Sequence, residues 1–391
     1  MKSSVIVFLK EVRENMRDRR TVINTLITGP LVAPLIFVVM INTVVTRELD
    51  RAEKPLPLPV AGAQYAPNLV AALKQNNVVI KAAPADPERA VHDQDDDVVL
   101  RITPKFAKAW NKGEPAQVEL IYDQSRRDSS SAATRLRSIL DAYNTRTGAL
   151  RLFARGLSPT ILKPLVEADR DQSTPRSRAG TLFGILPYFF IIGILVGGMA
   201  LAIDTTAGER ERQSLEPLLA NPVPRWRILA GKLGATTAFA ITTVLLSILA
   251  FSVVGRFLPT EKIGMTLTID LHFVIYAVIA MLPLALLLAA LQTLVAAFAK
   301  SFREAQTYLS LLMLVPIIPT LLLSIVPFKT QLWMYTVPLL SQQVIITRLM
   351  RGDPVTASAL GLCFVCTAIT ALLACVLTAR VYQSERLAIS S

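Results

Sequence analysis

Asp204-Thr-Thr-Ala-Gly-Glu-Arg-Glu-Arg-Gln-Ser-Leu-Glu-Pro-Leu-Leu-Ala-Asn-Pro-Val-Pro-Arg-Trp-Arg-Ile-Leu-Ala-Gly-Lys232 is a polar stretch set between two long apolar runs. Thr205 or Thr206 can cap a helix N-terminus, with Glu209 close behind to complement the helix dipole. Glu209, Arg210, Glu211, Arg212 and Glu216 are charged, while Leu215, Leu218 and Leu219 recur at helical spacing. Pro222 and Pro224 stop the helix. The residues read as a short amphipathic helix just outside a membrane, facing water and another protein. A charged loop between two spans is the plainer alternative.

The flanking runs make the membrane reading necessary. The chain has 391 residues, 52% of them apolar, and a mean hydropathy of +0.46. Crossing a hydrocarbon core of ~30 Å takes ~20 helical residues. Such runs lie at 22–45, 181–203, 228–254, 271–299, 307–326 and 355–377. The pI near 9.8 would suit nucleic acid, but much of the positive charge sits beside the spans, and no nucleic-acid motif is present. The three cysteines, Cys363, Cys366 and Cys375, all lie in the last run, which leaves none for a disulfide framework elsewhere. Cys363 and Cys366 have a redox or zinc spacing, yet at lipid depth they read as small packing residues.

Residues 1–21 carry Lys2, Lys10, Arg13, Arg17, Arg19 and Arg20, with Val5, Phe8, Leu9 and Val12 on one face, and read as an amphipathic helix on the cytoplasmic leaflet. The first span, 22–45, contains Pro30 and Pro34, which should kink it. Between 46 and 178 the composition changes sharply. Short strands at 58–62, 78–82, 97–102 and 116–122 alternate with helices starting at Pro67, Pro87 and Pro104. A long helix from about 128 to 157 follows, with Ala132, Leu136, Ile139, Tyr143, Leu150, Phe153 and Leu157 as its apolar stripe, and Ser129–Ser131 as caps at its start. His92 to Asp97 opens like a calcium loop, but Val98 stands where glycine is required and Pro104 where the closing Glu belongs, so it reads as a solvated turn.

In residues 179–391, Gly193 and Gly197 form a small-residue face for helix packing, with Gly198 beside it. Lys232 can snorkel from the end of span three. Trp333 and Tyr335 suit a membrane interface, and 338–351 reads as an interfacial or re-entrant helix. With six spans, segments on the inner side hold fourteen Lys/Arg and the short outer loops five, which puts both termini in the cytoplasm and the insert outside. The expected fold is an α-helical polytopic membrane protein with six transmembrane helices and a large extracytoplasmic α/β insert between helices one and two, in the cell (inner) membrane.

Glu209-Arg210, Leu215-Glu216, Leu218-Leu219, Pro222-Val223 and Gly231-Lys232 resemble the cytoplasmic coupling helix of type 2 ABC exporter permeases, here at 205–221. Gln213-Ser214 departs from the Gly-Thr common there. Asp97 to Phe106, an Asp-strand-Pro-x-Phe pattern, and the order of spans resemble the sodium-extrusion (NatB-like) permeases of that class. The resemblance implies a permease energised by a separate cytoplasmic ATPase subunit, which carries the ATP and Mg, and a second permease copy, homodimer or related, in the lipid membrane. It implies ATPase contact through Glu209, Arg210, Glu211, Leu215, Leu218 and Leu219, with Glu216, Pro222 and Val223 fixing the helix angle. The chain has no Walker A loop and no kinase, zincin or hydrolase motif, so no catalytic residue, metal or cofactor is assigned to it. Sodium as cargo rests on the resemblance, since no carboxylate lies mid-membrane. Export of a lipid, peptide or drug stays open, as does a membrane-anchored sensor or scaffold working through the insert.

Overall fold

The computed structural model describes residues 3–383, except 163–164, 166–167, 169, 215–216, 218–221, 259, 267 and 326–328. Two compact units emerge: 1–46 with 172–391, and 47–171. Among the described residues six helices are long and apolar enough to cross a membrane.

Helix α1 (Ser3–Arg17) ends where Asp18 caps α2 (Arg19–Val22), accepting from the Arg20 N–H at 3.0 Å. A π-helical turn, Ile23–Thr28, joins α2 to α3 (Gly29–Glu53). Pro30 has no N–H for the Leu26 carbonyl, and the Gly29 N–H bonds to Asn24, five residues back. The proline irregularity expected in span one is thus a wide turn as well as Pro34 inside α3. Rather than lying free on a membrane surface, α1 is docked. Phe8 and Val12 pack with Leu201, Ala235 and Phe239, and Glu11 and Asn15 are buried, while Val5, Ile6, Leu9 and Met16 stay exposed.

The second unit holds β1 (Leu56–Ala61), α4 (Pro67–Gln75), β2 (Val78–Ala82), α5 (Pro87–His92), β3 (Val98–Ile102), α6 (Pro104–Lys112), β4 (Val118–Tyr122) and α7 (Arg127–Phe153). The strand order is β2-β1-β3-β4, with β1 parallel to both neighbours and β4 antiparallel to β3. Proline starts α4, α5 and α6, where its missing N–H costs nothing. The core gathers Leu58, Val60, Leu100, Leu73, Phe106, Ala133 and Leu136. Ser129 does not cap α7: its buried hydroxyl accepts from the Asp123 N–H at 2.8 Å and fixes the turn before the helix. The apolar stripe of α7 also divides. Ala132, Leu136, Ile139 and Tyr143 join the core, but Leu150, Phe153 and Leu157 are exposed, because the sheet ends before they are reached.

The remaining elements are α8 (Pro175–Leu182), α9 (Leu186–Ile203), α10 (Glu209–Glu211), α11 (Arg225–Gly255), α12 (Leu271–Phe298), α13 (Phe302–Leu312), α14 (Ile317–Ile325), α15 (Leu340–Arg351) and α16 (Ala357–Gln383). Span five is broken into α13 and α14, with Pro316 at the break. Helix α15 has twelve residues, or about 18 Å at 1.5 Å per residue, too short to span. It is packed into the bundle, with Leu340 to Ile346 buried. Buried Gln342 donates to Thr367 Oγ1 (2.9 Å) and accepts from the Leu339 N–H (2.8 Å); Gln343 donates to Thr320 Oγ1 (2.7 Å). Cys363 lies in the first of these networks, beside Ser341 and Gln342, so its surroundings are more polar than lipid depth suggests. Trp333 is exposed, whereas Tyr335 is buried and bonded to Arg348 rather than placed at a surface.

Candidate functional site: the segment between spans two and three

Span two does not stop before the polar stretch. A π-helical turn, Asp204–Gly208, carries α9 directly into α10. Thr205 and Thr206 therefore cap nothing. Their hydroxyls donate back to the Leu201 and Ala202 carbonyls, the i−4 bonding of a helix interior, which overturns the capping expectation. The extension ends at Arg212, and Gln213 takes a left-handed backbone, φ +56°, to turn the chain.

Four bonds tie this extension to other helices or to itself. Lys232, on α11, does not snorkel. Its side chain is 1% exposed, pairs with the Glu209 carboxylate and donates to the Thr205 carbonyl at 2.6 Å. Glu211 accepts from the Phe302 N–H at 2.7 Å, at the first residue of α13. Arg212 folds back to Asp204 at 2.9 Å. Lys10 of α1 stands 3.2 Å from Glu11 and 3.9 Å from Glu209, so α1 joins the same end of the bundle. Arg225 donates to the Gln383 carbonyl at 3.1 Å and ties the start of α11 to the end of α16.

Of the residues assigned to a partner contact, Glu209 faces inward at 7% exposure, Arg210 is half-buried and Glu211 is exposed. Leu215, Glu216, Leu218 and Leu219 lie outside the described residues. Pro222 and Val223 form the bend before α11. The pairing of Lys232 with Glu209 was not legible beforehand. The available signal was a lysine at the fifth position of the run 228–254, which holds no other charge, where an unpaired charge is costly.

The glycines of α9 set the distance to its neighbours. A Cβ on Gly197 would lie 2.5 Å from Thr243 Oγ1 and 3.0 Å from the Ala240 Cα, and one on Gly198 would lie 2.5 Å from Gln292 Oε1. A Cβ on Gly193 would meet nothing nearer than 3.4 Å. Close approach thus centres on Gly197 and Gly198.

A cavity of about 500 Å³ opens beside the segment. Glu14, Asp18, Asn24, Thr25, Asp204 and Gln306 are among its lining residues, together with Arg20 and Arg212. Alongside α15, a cavity of about 330 Å³ is lined by Thr320, Gln343, Thr347, Arg348, Arg351 and Asp353 among others. The described residues contain no group of three or more His, Cys, Asp or Glu able to hold a metal ion.

Comparison with known proteins agrees with this architecture. The family described as "ABC-2 family transporter protein" matches residues 19–379. The chain is 29% identical, over 360 residues covering 90% of it and 91% of the relative, to the ABC transporter permease protein NatB of Bacillus subtilis (strain 168). With that match running through all six apolar helices, the chain belongs to the ABC-2 transporter family and is a multi-pass membrane permease.

Proposed function

We propose that this permease is the membrane subunit of an ATP-driven exporter and receives the force of ATP hydrolysis through residues 204–223. The observation that carries this reading is the set of bonds around Glu209 and Glu211. One short segment is tied to span three through Lys232 and to the start of span five through the Phe302 N–H. A push on it from a separate ATPase reaches both. Arg210, Glu211 and the stretch 215–219 are the side chains offered to that partner, with Pro222 and Val223 setting the angle to α11. ATP and Mg belong to the partner, and two permease copies complete the transporter. In this reading both termini and the segment face the cytoplasm, with the α/β unit outside; the Lys/Arg bias supports it.

Sodium is the proposed cargo. Resemblance to the sodium-extrusion permeases supports it, and the cavity beside the segment adds carboxylate, amide and hydroxyl oxygens suited to a hard cation. The Arg348 and Arg351 side chains in the cavity alongside α15 favour a second reading, a cargo with an anionic headgroup such as a lipid. The deciding experiment reconstitutes the permease with the ATPase subunit of its own host in liposomes and follows ATP-dependent sodium movement and headgroup-labelled lipid movement side by side. Sodium movement alone supports the first reading and lipid movement alone the second. Failure of the two proteins to associate would sink the exporter assignment.

A further inference from the structure

We propose that Lys232 is a positioning residue that pins α1 and the 204–212 segment to span three, so that the N-terminal helix and the segment move as one body. The proposal rests on the coupling role given above to 204–223 and adds a member to it, the N-terminal helix.

Three independent contacts converge. The Lys232 ammonium is enclosed, holding the Glu209 carboxylate and the Thr205 carbonyl. Glu11 of α1, 2% exposed, and Lys10 bring a second carboxylate and a second ammonium to the same place. Backbone contact reinforces the charges: a Cβ on Gly231 would fall 2.7 Å from the Ser4 carbonyl oxygen and 2.7 Å from Val7 Cβ, and Gly234 sits against the Phe8 ring. Residues 11, 209 and 232 are thus buried together at one end of the bundle.

The physics of buried pairs explains what such a site does. Against an apolar pair of the same volume, a buried ion pair adds little net stability. It does penalise every arrangement that leaves one charge alone, and so selects one relative placement of the elements that carry it. Here those elements are α1, the extension of span two and span three. Glu14 and Arg212 are the further charged groups near this cluster; both are more exposed than the paired core, and Arg212 is engaged with Asp204.

The test uses the full chain in nanodiscs with the ATPase of its host. Lys232→Met leaves the Glu209 carboxylate buried without its partner; Gly231→Ala displaces α1 by contact and changes no charge. Hydrogen exchange is read at 3–17, 204–212 and 271–298, beside permease-dependent ATP hydrolysis. Both variants are expected to speed exchange about tenfold or more in 3–17 and 204–212 together, to leave 271–298 protected, and to cut permease-dependent hydrolysis at least tenfold. Loosening of one segment without the other overturns the proposal, as does hydrolysis at the wild-type level in the Lys232→Met variant. A wild-type chain that stimulates no ATPase counts against the exporter reading instead, and the exchange arm alone then decides whether the two segments are one body.

Discussion

At the residue scale, glycines and caps give the sharpest expectations. Gly197→Ala forces a Cβ to within 2.5 Å of Thr243 Oγ1 and 3.0 Å of a helix backbone atom. It should cost about 1–3 kcal/mol, as overpacking does, and lower the melting temperature in detergent. Gly193→Ala, with 3.4 Å of clearance, should leave it nearly unchanged. A pair of variants that melted alike would refute the packing assigned to α9. Asp270 caps α12, accepting from the Phe273 N–H at 2.8 Å, and pairs with Arg176 at 3.1 Å. The capping N–H first, and then Arg176, hold its carboxyl below the usual range. A depressed carboxyl contributes stability that is present above its unfolded pKa and is lost as pH falls through the folded value. Asp270→Ala should therefore cost about 1 kcal/mol at neutral pH, and the difference from wild type should shrink in acid.

At the scale of elements, α1 carries the opposite pH signature. Burial raises the Glu11 carboxyl above its ordinary value, against the pull of Lys232 and Lys10 and with the help of Glu209. A raised carboxyl contributes stability that is complete below the unfolded pKa and is lost as pH rises through the folded one. Docking of α1 should therefore tighten between neutral and mildly acid pH, and Glu11→Gln should flatten that dependence. Protease cleavage within 3–17, followed from pH 7.5 to 5, checks it; an identical slope in the variant would refute the assignment. The elements themselves were largely legible. Pro67, Pro87 and Pro104 each mark a helix start, and the near-continuous apolar run of 98–102 marks a strand buried on both faces. What misled was chemistry with two local solutions. Thr205 and Thr206 can cap a new helix or bond back within an old one, and only continuity with α9 chooses between them.

At the scale of the whole molecule, the unit formed by 47–171 owns its core, from Leu58 and Leu100 on the sheet to Leu136 on α7. Expressed alone, it should unfold cooperatively in urea; a non-cooperative profile would show that it leans on the rest of the chain. Topology is testable on intact cells. A membrane-impermeant maleimide should label Lys74→Cys, which is exposed in this unit, and leave Arg13→Cys unlabelled. The reverse pattern would invert the orientation proposed for the permease.

The amino-acid sequence by itself determined the spans, the strand and helix order of the insert and the family resemblance. These follow from local physics: a backbone in lipid must bond to itself, and apolar period separates strand from helix. Only the tertiary structure decided where the charges went. Lys232 and Glu209 stand 23 positions apart, and Glu11 more than 200 from Lys232, each in a segment that reads as an ordinary interfacial helix or span end. A charge near a membrane surface is cheap in water and costly when buried, and nothing local tells the two apart. The difference is made by close packing of α1 at Gly231 and Gly234, beside which Lys232 and Glu209 are left with each other as partners.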